Sequence, residues 1–311
     1  MKSDEIIYHI PVLKNESTKF LVTNKNGIYV DGTMGGGGHS EEILKIISKN
    51  GKLIAIDQDN DSHNFANKRL SKFQNQIYFV QNNFSNIKEV LQSLSIKKID
   101  GILLDLGISS HQIDESTRGF AFMSDAKLDM RMNKLQNLSA FEIINNFSAK
   151  ELQSIFFSFG EIRESKMISR MIEKSRIEKK IETTTDLRKL IESKFKGPNA
   201  IKLLARVFQS LRIAVNRELD ALEICLRDVY EFLNPGARIV VISYHSLEDR
   251  IVKNFFKEKA NPIVEKNYFS KSNFGKPELN ILTKKPIEPS ADEILKNSRS
   301  RSAKMRVAEK I

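Results

Sequence analysis

Short, continuous apolar segments separated by helix-patterned stretches constrain this chain more than any other feature. Segments 27–31, 52–57, 77–81, 99–106 and 237–243 are rich in Ile, Leu and Val. Their apolar residues run together rather than alternating with polar ones, as in parallel strands covered on both faces. Residues 40–49 and 60–73 carry helical spacing between the first three segments. Strand, helix, strand repeated in this way predicts βαβ units and a doubly wound α/β sheet. About 130 residues separate the fourth and fifth strands, whereas a βαβ crossover needs little more than 30, so something is inserted there.

Residues 107–138 are polar and read as a long functional loop, and from Ser139 the pattern turns helical. Ser139-Ala-Phe-Glu142 and Ser148-Ala-Lys-Glu151 both match the capping box, in which Ser and Glu reciprocally satisfy the first amides of a helix. Helices are expected over 161–179 and 185–195, and one long amphipathic helix over 200–233, with Leu204, Phe208, Leu211, Val215, Leu219, Leu222 and Leu226 on one stripe. Asn234-Pro-Gly236 reads as a turn into the fifth strand. The expected organisation is a sheet domain, 1–136 with 200–311, carrying an all-helical insert at 137–199 for substrate recognition.

Composition narrows the partner. Among 311 residues, 40% are hydrophobic and 29% charged, which is globular composition. The longest apolar runs last about four residues, and a membrane span needs about 20. Acidic residues follow Met1 where a signal peptide would be apolar, and the one cysteine, Cys225, can form neither an internal disulfide nor a cysteine-rich metal site. A soluble, cytoplasmic protein is expected, with no membrane partner. The net charge of +11 is localised: residues 139–206 hold 14 basic and 9 acidic groups, and residues 296–311 hold six and one. Two basic segments on a nearly neutral body fit a polyanionic partner such as nucleic acid. In the second segment Arg299, Arg301, Lys304 and Arg306 either grip phosphates or belong to a tail folded back on the sheet through Met305 and Val307.

The chemistry-bearing residues cluster at predicted strand ends. Asp31-Gly-Thr-Met-Gly-Gly-Gly-Gly-His39-Ser40 follows the first strand and precedes the first helix. Successive glycines let the backbone turn tightly and approach a ligand, and the following helix start offers free amides. The run lacks the Lys of a P-loop. It also fails the dinucleotide pattern Gly-x-Gly-x-x-Gly, since the last position falls on Ser40 or Glu41. Asp31 would repel a pyrophosphate but suits an ammonium or sulfonium ligand, of which S-adenosylmethionine is one. Asp57 ends the second strand, where an acid accepts both hydroxyls of a ribose; Asp59 and Asp61 are nearby competitors. Phe84, just past the third strand, can cover an adenine or belong to the core. Asp105 ends the fourth strand and opens the loop Gly107, Ser109, Ser110, Gln112. Arg118-Gly-Phe-Ala-Phe122 and Leu128-Asp-Met-Arg-Met132 interleave basic and aromatic or apolar residues, which suits unstacked bases or a lid packed on itself. Ser246-Leu-Glu-Asp249 reads as a helix cap, which leaves His245 at the carboxyl edge of the fifth strand. The Gly-x-Ser-x-Gly elbow of a Ser-His-Asp hydrolase is absent. His9, His39, His63, His111 and His245 show no metal-ligand spacing, so no metal is expected.

Taken in order, Asp31-Gly-Thr-Met-Gly-Gly-Gly-Gly-His-Ser, Ile102-Leu-Leu-Asp-Leu-Gly-Ile-Ser-Ser, Arg118-Gly-Phe, Leu128-Asp-Met-Arg-Met, Ile242-Ser-Tyr-His-Ser-Leu-Glu-Asp-Arg and the ending 297–310 resemble one family, from about His9 to Lys310. That family is the ribosomal RNA small subunit methyltransferase H group, which methylates cytosine N4. The resemblance implies a class I S-adenosylmethionine-dependent methyltransferase, a Rossmann-like doubly wound sheet with a helical subdomain. It also implies a cytidine in the decoding region of 16S rRNA, or of the small ribosomal subunit, as acceptor. It places the cofactor against Gly37, Gly38 and His39, then Asp57, Phe84, Asp105 and Gln112. His39 and Gln112 come from the resemblance alone. His111 stands where many relatives have Pro, and Asp105-Leu-Gly-Ile replaces the Asp/Asn-Pro-Pro-aromatic motif of many amino methyltransferases, so the group that takes the amine proton is open. Asp105 is the first candidate for it and His245 the second. A non-catalytic RNA-binding assembly factor would explain the charge but not the glycine loop, and an oxidoreductase would need the fingerprint that fails.

Overall fold

The computed structural model describes residues 11–109, 112, 115–265 and 273–311; Ser110, His111 and His9 lie outside them. The chain divides into two compact units, Met1–Gly107 with Leu219–Ile311, and Ile108–Glu218. The first begins with α1 (Lys14–Leu21), β1 (Ile28–Asp31), α2 (Gly38–Ile46), β2 (Lys52–Asp57), α3 (Asn60–Arg69), β3 (Ile77–Gln81), α4 (Ile87–Ser93) and β4 (Ile99–Asp105). Strand bounds follow the apolar runs because each strand is covered twice. On β4, Ile102 and Leu104 enter one apolar cluster with Ile54, Ile56 and Val241, whereas Leu103 enters another with Leu53, Ala55 and Val240. Residues of alternating parity point to opposite faces, and both faces are buried.

The second unit is helical: α5 (Ala140–Asn146), α6 (Ala149–Gly160), α7 (Ser165–Glu178), α8 (Thr184–Lys194) and α9 (Pro198–Asn216). It is wider than the expected insert because the preceding loop supplies its core. Phe120, Leu128, Met130 and Met132 are buried with Ile143, Phe156, Ile172 and Leu204. The Arg118-to-Met132 segment is thus occupied internally: Arg118 donates to the carbonyls of Arg131 (2.9 Å) and Met132 (3.1 Å), and Arg131 makes two bonds to Asp129 (2.8 and 2.7 Å). Phe122 meets Phe208 edge-on at 5.6 Å. Of the two expected capping boxes, Ser148–Glu151 is complete. Ser139 caps the Glu142 amide, but the Glu142 carboxylate turns forward to Asn146 instead.

The long helix expected over 200–233 is two helices. α9 ends at Asn216, Arg217 adopts the left-handed conformation (φ 50°), and α10 (Glu218–Tyr230) follows. One apolar stripe serves two cores: Leu204, Phe208, Leu211 and Val215 enter the helical cluster, and Leu222 and Leu226 enter a sheet cluster. Periodicity reports spacing, not direction, and so runs through the break. β5 (Leu233–Ser243) absorbs the expected turn as an irregularity at Asn234–Gly236, after which its register on β4 resumes at Arg238.

The chain closes with α11 (Ser246–Ala260), a short pair β6 (Ile263–Glu265) and β7 (Asn273–Phe274), then β8 (Leu279–Ile281), α12 (Ala291–Lys296) and β9 (Lys304–Lys310). The main sheet is ordered β3-β2-β1-β4-β5-β9-β8, parallel from β1 to β5, with β9 antiparallel to β5. Strand order reverses between β1 and β4, and ligands of such sheets bind beyond the carboxyl ends there. Among the described residues no helix is long and apolar enough to cross a membrane.

Of the two readings of the basic tail, the structure shows the one folded back on the sheet. Lys304, Met305, Arg306 and Val307 form the start of β9; Met305 and Val307 are buried, and Arg306 is 9% exposed with two bonds to Asp249 on α11 (2.6 and 3.0 Å). Arg306 is therefore part of the fold rather than a hand for phosphates. Arg306→Ala should lower the unfolding free energy by about 3 kcal/mol, because Asp249 loses its buried partner. Arg301→Ala, at an exposed position, should change it by no more than about 0.5 kcal/mol. Urea titrations of the two variants check the contrast.

Candidate active site

Three carboxylates stand at the carboxyl ends of neighbouring strands: Asp57 on β2, Asp31 on β1 and Asp105 on β4. Each fastens part of the glycine loop. Asp31 is 1% exposed and accepts from the Ser40 hydroxyl (2.6 Å) and the Thr33 amide (3.2 Å). Asp57 accepts from the amides of Gly35 (2.7 Å) and Asp59 (2.8 Å). The Asp105 amide donates to Thr33 Oγ1 at 2.6 Å, which ties the loop to β4. Asp59 caps α3 by accepting the Asp61 amide at 3.1 Å, whereas the Asp57 carboxylate engages the glycine loop at Gly35.

The loop needs its glycines for two different reasons. Gly37 caps α2 at φ 74°, where a side chain would be strained. Gly38 has normal φ, but a Cβ there would lie 2.9 Å from the Pro11 ring. Phe84 sits in a short turn after β3, partly buried, its Cβ 3.4 Å from where a Cβ on Gly32 would stand. His39, buried at the start of α2, has Nε2 3.0 Å from the Val12 carbonyl and Nδ1 3.6 Å from Asp105 Oδ2. A carbonyl can only accept, so Nε2 carries a proton.

Burial raises all three acids. It pushes Asp31 up to about 6, with Asp57 adding to the effect; Asp57 up to about 6, with Asp59 adding; and Asp105 up to about 8, with Asp31, Glu248 and Glu293 adding. Hydrogen bonds oppose the shift at each acid, from Ser40 to Asp31, from Asp59 and Gly35 to Asp57, and from Tyr244 to Asp105. Carboxylates grouped in this way repel a phosphate and favour a cation.

Gly37, Gly38, His39, Asp57, Phe84 and Asp105 all belong to the sheet unit, Asp57 and Asp105 at strand ends, Gly37, Gly38 and His39 at the start of α2 and Phe84 in the turn after β3. Gln112 belongs to the helical unit, where its Oε1 accepts the Ser109 amide (3.1 Å) and its own amide donates to Ser109 Oγ (3.2 Å). His245, rather than Ser246, caps α11: its Nδ1 accepts the Glu248 amide at 3.4 Å, and the Glu248 carboxylate takes the His245 and Tyr244 amides. Its Nε2 is buried 3.1 Å from Glu248 Oε1 without a hydrogen bond. Thr33, Ser40 and Tyr244, whose hydroxyl donates to Asp105 Oδ1 at 2.8 Å, were not singled out by sequence reasoning. Their only signal was membership of the same motifs that carry the glycines, Asp31 and His245.

Sheet order, an antiparallel β9 beside β5 and an acid-lined glycine loop after β1 together define a class I methyltransferase. The pattern of the MraW methylase family matches residues 6–311, and the chain belongs to that family. It is similar to ribosomal RNA small subunit methyltransferase H of Clostridium botulinum strain 657, at 49% identity over 308 residues, covering 97% of this chain and 99% of that protein. The enzyme of the same name from Caldicellulosiruptor saccharolyticus is 49% identical over 305 residues, with 97% and 99% covered. That from Finegoldia magna is 44% identical over 317 residues, with 97% and 98% covered.

Asp105 makes stability pH-dependent. Its folded pKa is raised, so its proton-linked contribution is full below about 4 and lost as pH rises through about 8. Asp105→Asn removes that dependence. Relative to wild type, the ligand-free variant should gain on the order of 2–4 kcal/mol between pH 5 and pH 8.5, as read by denaturant titration at each pH. A difference that stays constant with pH would mean that Asp105 is ionised throughout.

Proposed function

We propose that this methyltransferase moves a methyl group from S-adenosylmethionine to the N4 amine of a specific cytidine in the decoding region of 16S rRNA, in the cytoplasm. The observation that carries the reading is the trio of carboxylates at adjacent strand ends around the glycine loop, Asp31 buried and Asp57 and Asp105 half-buried, which favours a cationic nucleotide-like ligand over a dinucleotide. The names of the relatives, each a ribosomal RNA small subunit methyltransferase, support the acceptor class.

Gly37 and Gly38 let the backbone approach the ligand, and His39 stands beside Asp105. Each Asp57 oxygen holds one backbone amide and keeps a lone pair for a ribose hydroxyl. Phe84 covers the adenine. The bound cofactor supplies an electrophilic methyl on a sulfonium. The acceptor amine is a poor nucleophile because its lone pair is delocalised into the cytosine ring, so positioning and a proton acceptor provide the acceleration. Asp105 suits that role, since a group of pKa near the working pH makes an effective base. His245 does not, because its Nδ1 lone pair is spent on the cap. The helical insert at 137–199, with its excess of basic residues, is the part that recognises RNA. Small subunits from cells lacking the protein, incubated with it and labelled S-adenosylmethionine, should gain one N4-methylcytidine by mass spectrometry of the rRNA. Absence of label in rRNA would refute the acceptor.

Two outcomes follow from the residues. Asp57→Ala should weaken S-adenosylmethionine binding by about 1.5–3 kcal/mol through loss of charge-assisted bonds to the ribose; unchanged calorimetric affinity in the folded variant would remove the assignment. A cytosine paired in a helix has its amine engaged, so the target must be unpaired and recognised through surrounding RNA structure. A short cytidine oligomer should therefore react far more slowly than an assembled or partly assembled small subunit, and equal turnover of the two would contradict this role for the insert.

A further inference from the structure

Tyr244 is held from three sides. Its amide donates to Glu248 Oε2 at 2.8 Å, inside the box that caps α11, and Glu248 is buried. Its ring lies against Gly107, where a Cβ would be 3.4 Å from Cδ2 and where φ is +97°. Its hydroxyl donates to Asp105 Oδ1 at 2.8 Å. This fixes the carboxylate plane and occupies one oxygen. The other, Oδ2, faces His39 Nδ1 at 3.6 Å.

Resting on the reading of Asp105 as proton acceptor, we propose that Tyr244 is a positioning residue for methyl transfer, its hydroxyl anchoring Asp105 Oδ1 so that Oδ2 receives the proton of the acceptor amine. In the step, the N–C bond forms as the S–C bond breaks, and the sulfonium becomes a neutral thioether. The amine gives one proton to the Asp105 carboxylate, which becomes a neutral acid and later returns the proton to solvent. The groups acting on Asp105 come from several elements: Tyr244 after β5, His39 on α2, Asp31 on β1, Glu248 on α11 and Glu293 on α12. The three carboxylates favour the protonated, inactive form. The Tyr244 hydroxyl opposes them by donating to the charged form.

This arrangement gives the Ser243-Tyr-His-Ser-Leu-Glu248 motif a single physical purpose. His245 and Glu248 close the cap, the cap fixes the Tyr244 backbone, and Tyr244 fixes Asp105.

The test is the pH profile of single-turnover methylation of small subunits by full-length Tyr244→Phe at saturating S-adenosylmethionine. Cofactor affinity should stay within about twofold of wild type, the rate at pH 7.5 should fall about tenfold, and the acid limb should move about one unit alkaline. A rate reduced equally at all pH values, or an unmoved limb with an unchanged rate, would overturn the proposal. If Tyr244→Phe misfolds, difluorotyrosine at 244 serves instead. As a stronger donor it should move the limb to lower pH, and an unmoved limb would again overturn the proposal. Asp105→Asn separates this inference from its foundation: full activity in that variant would remove Asp105 as the acceptor, and loss of activity at every pH is expected.

Discussion

Three carboxylates at the ends of adjacent parallel strands, one buried and two half-buried, set the terms for the structure around them. Desolvation and repulsion from neighbouring carboxylates disfavour their charged forms, and hydrogen bonds from amides and hydroxyls oppose this at each of them. The bonds at Asp31 and Asp57 also shape the glycine loop through Thr33, Ser40 and Gly35, and the Asp105 backbone amide adds one to Thr33. Loop and acids are one construction. A cation placed among them would relieve the repulsion, whereas a pyrophosphate would add to it.

The parallel strands were legible because double burial forces continuous apolar runs, and β2 and β3 begin and end where those runs do. β8 and β9 were not. β9 reads Lys-Met-Arg-Val-Ala-Glu-Lys, and its Arg306 looks solvated until Asp249 on α11 is seen to neutralise it. A charge count records Arg306 as available, whereas its partner lies 57 residues away in sequence. The break at Arg217 was hidden for a related reason: helical spacing continues through Leu222 and Leu226 although those residues serve a different core.

At the site, the acids could be read because strand-end positions follow from the strands themselves. Their partners could not. Nothing in the residue type of Tyr244 says that its hydroxyl reaches Asp105, 139 positions away. His245 illustrates the opposite hazard. A histidine at the carboxyl edge of a strand invites a catalytic role, but its Nδ1 is committed to the first turn of α11, and Ser246 is already inside the helix.

The central claim is that the strand-end carboxylates receive a cationic ligand. Calorimetry of S-adenosylmethionine binding at pH 7, repeated in buffers of different ionisation enthalpy, measures it directly. Ligand charge should drive ionisation of the acid whose pKa lies near 8, so binding should release protons, and affinity should rise from pH 5.5 to pH 8.5. Binding with no proton release and an affinity independent of pH across that range would contradict the account.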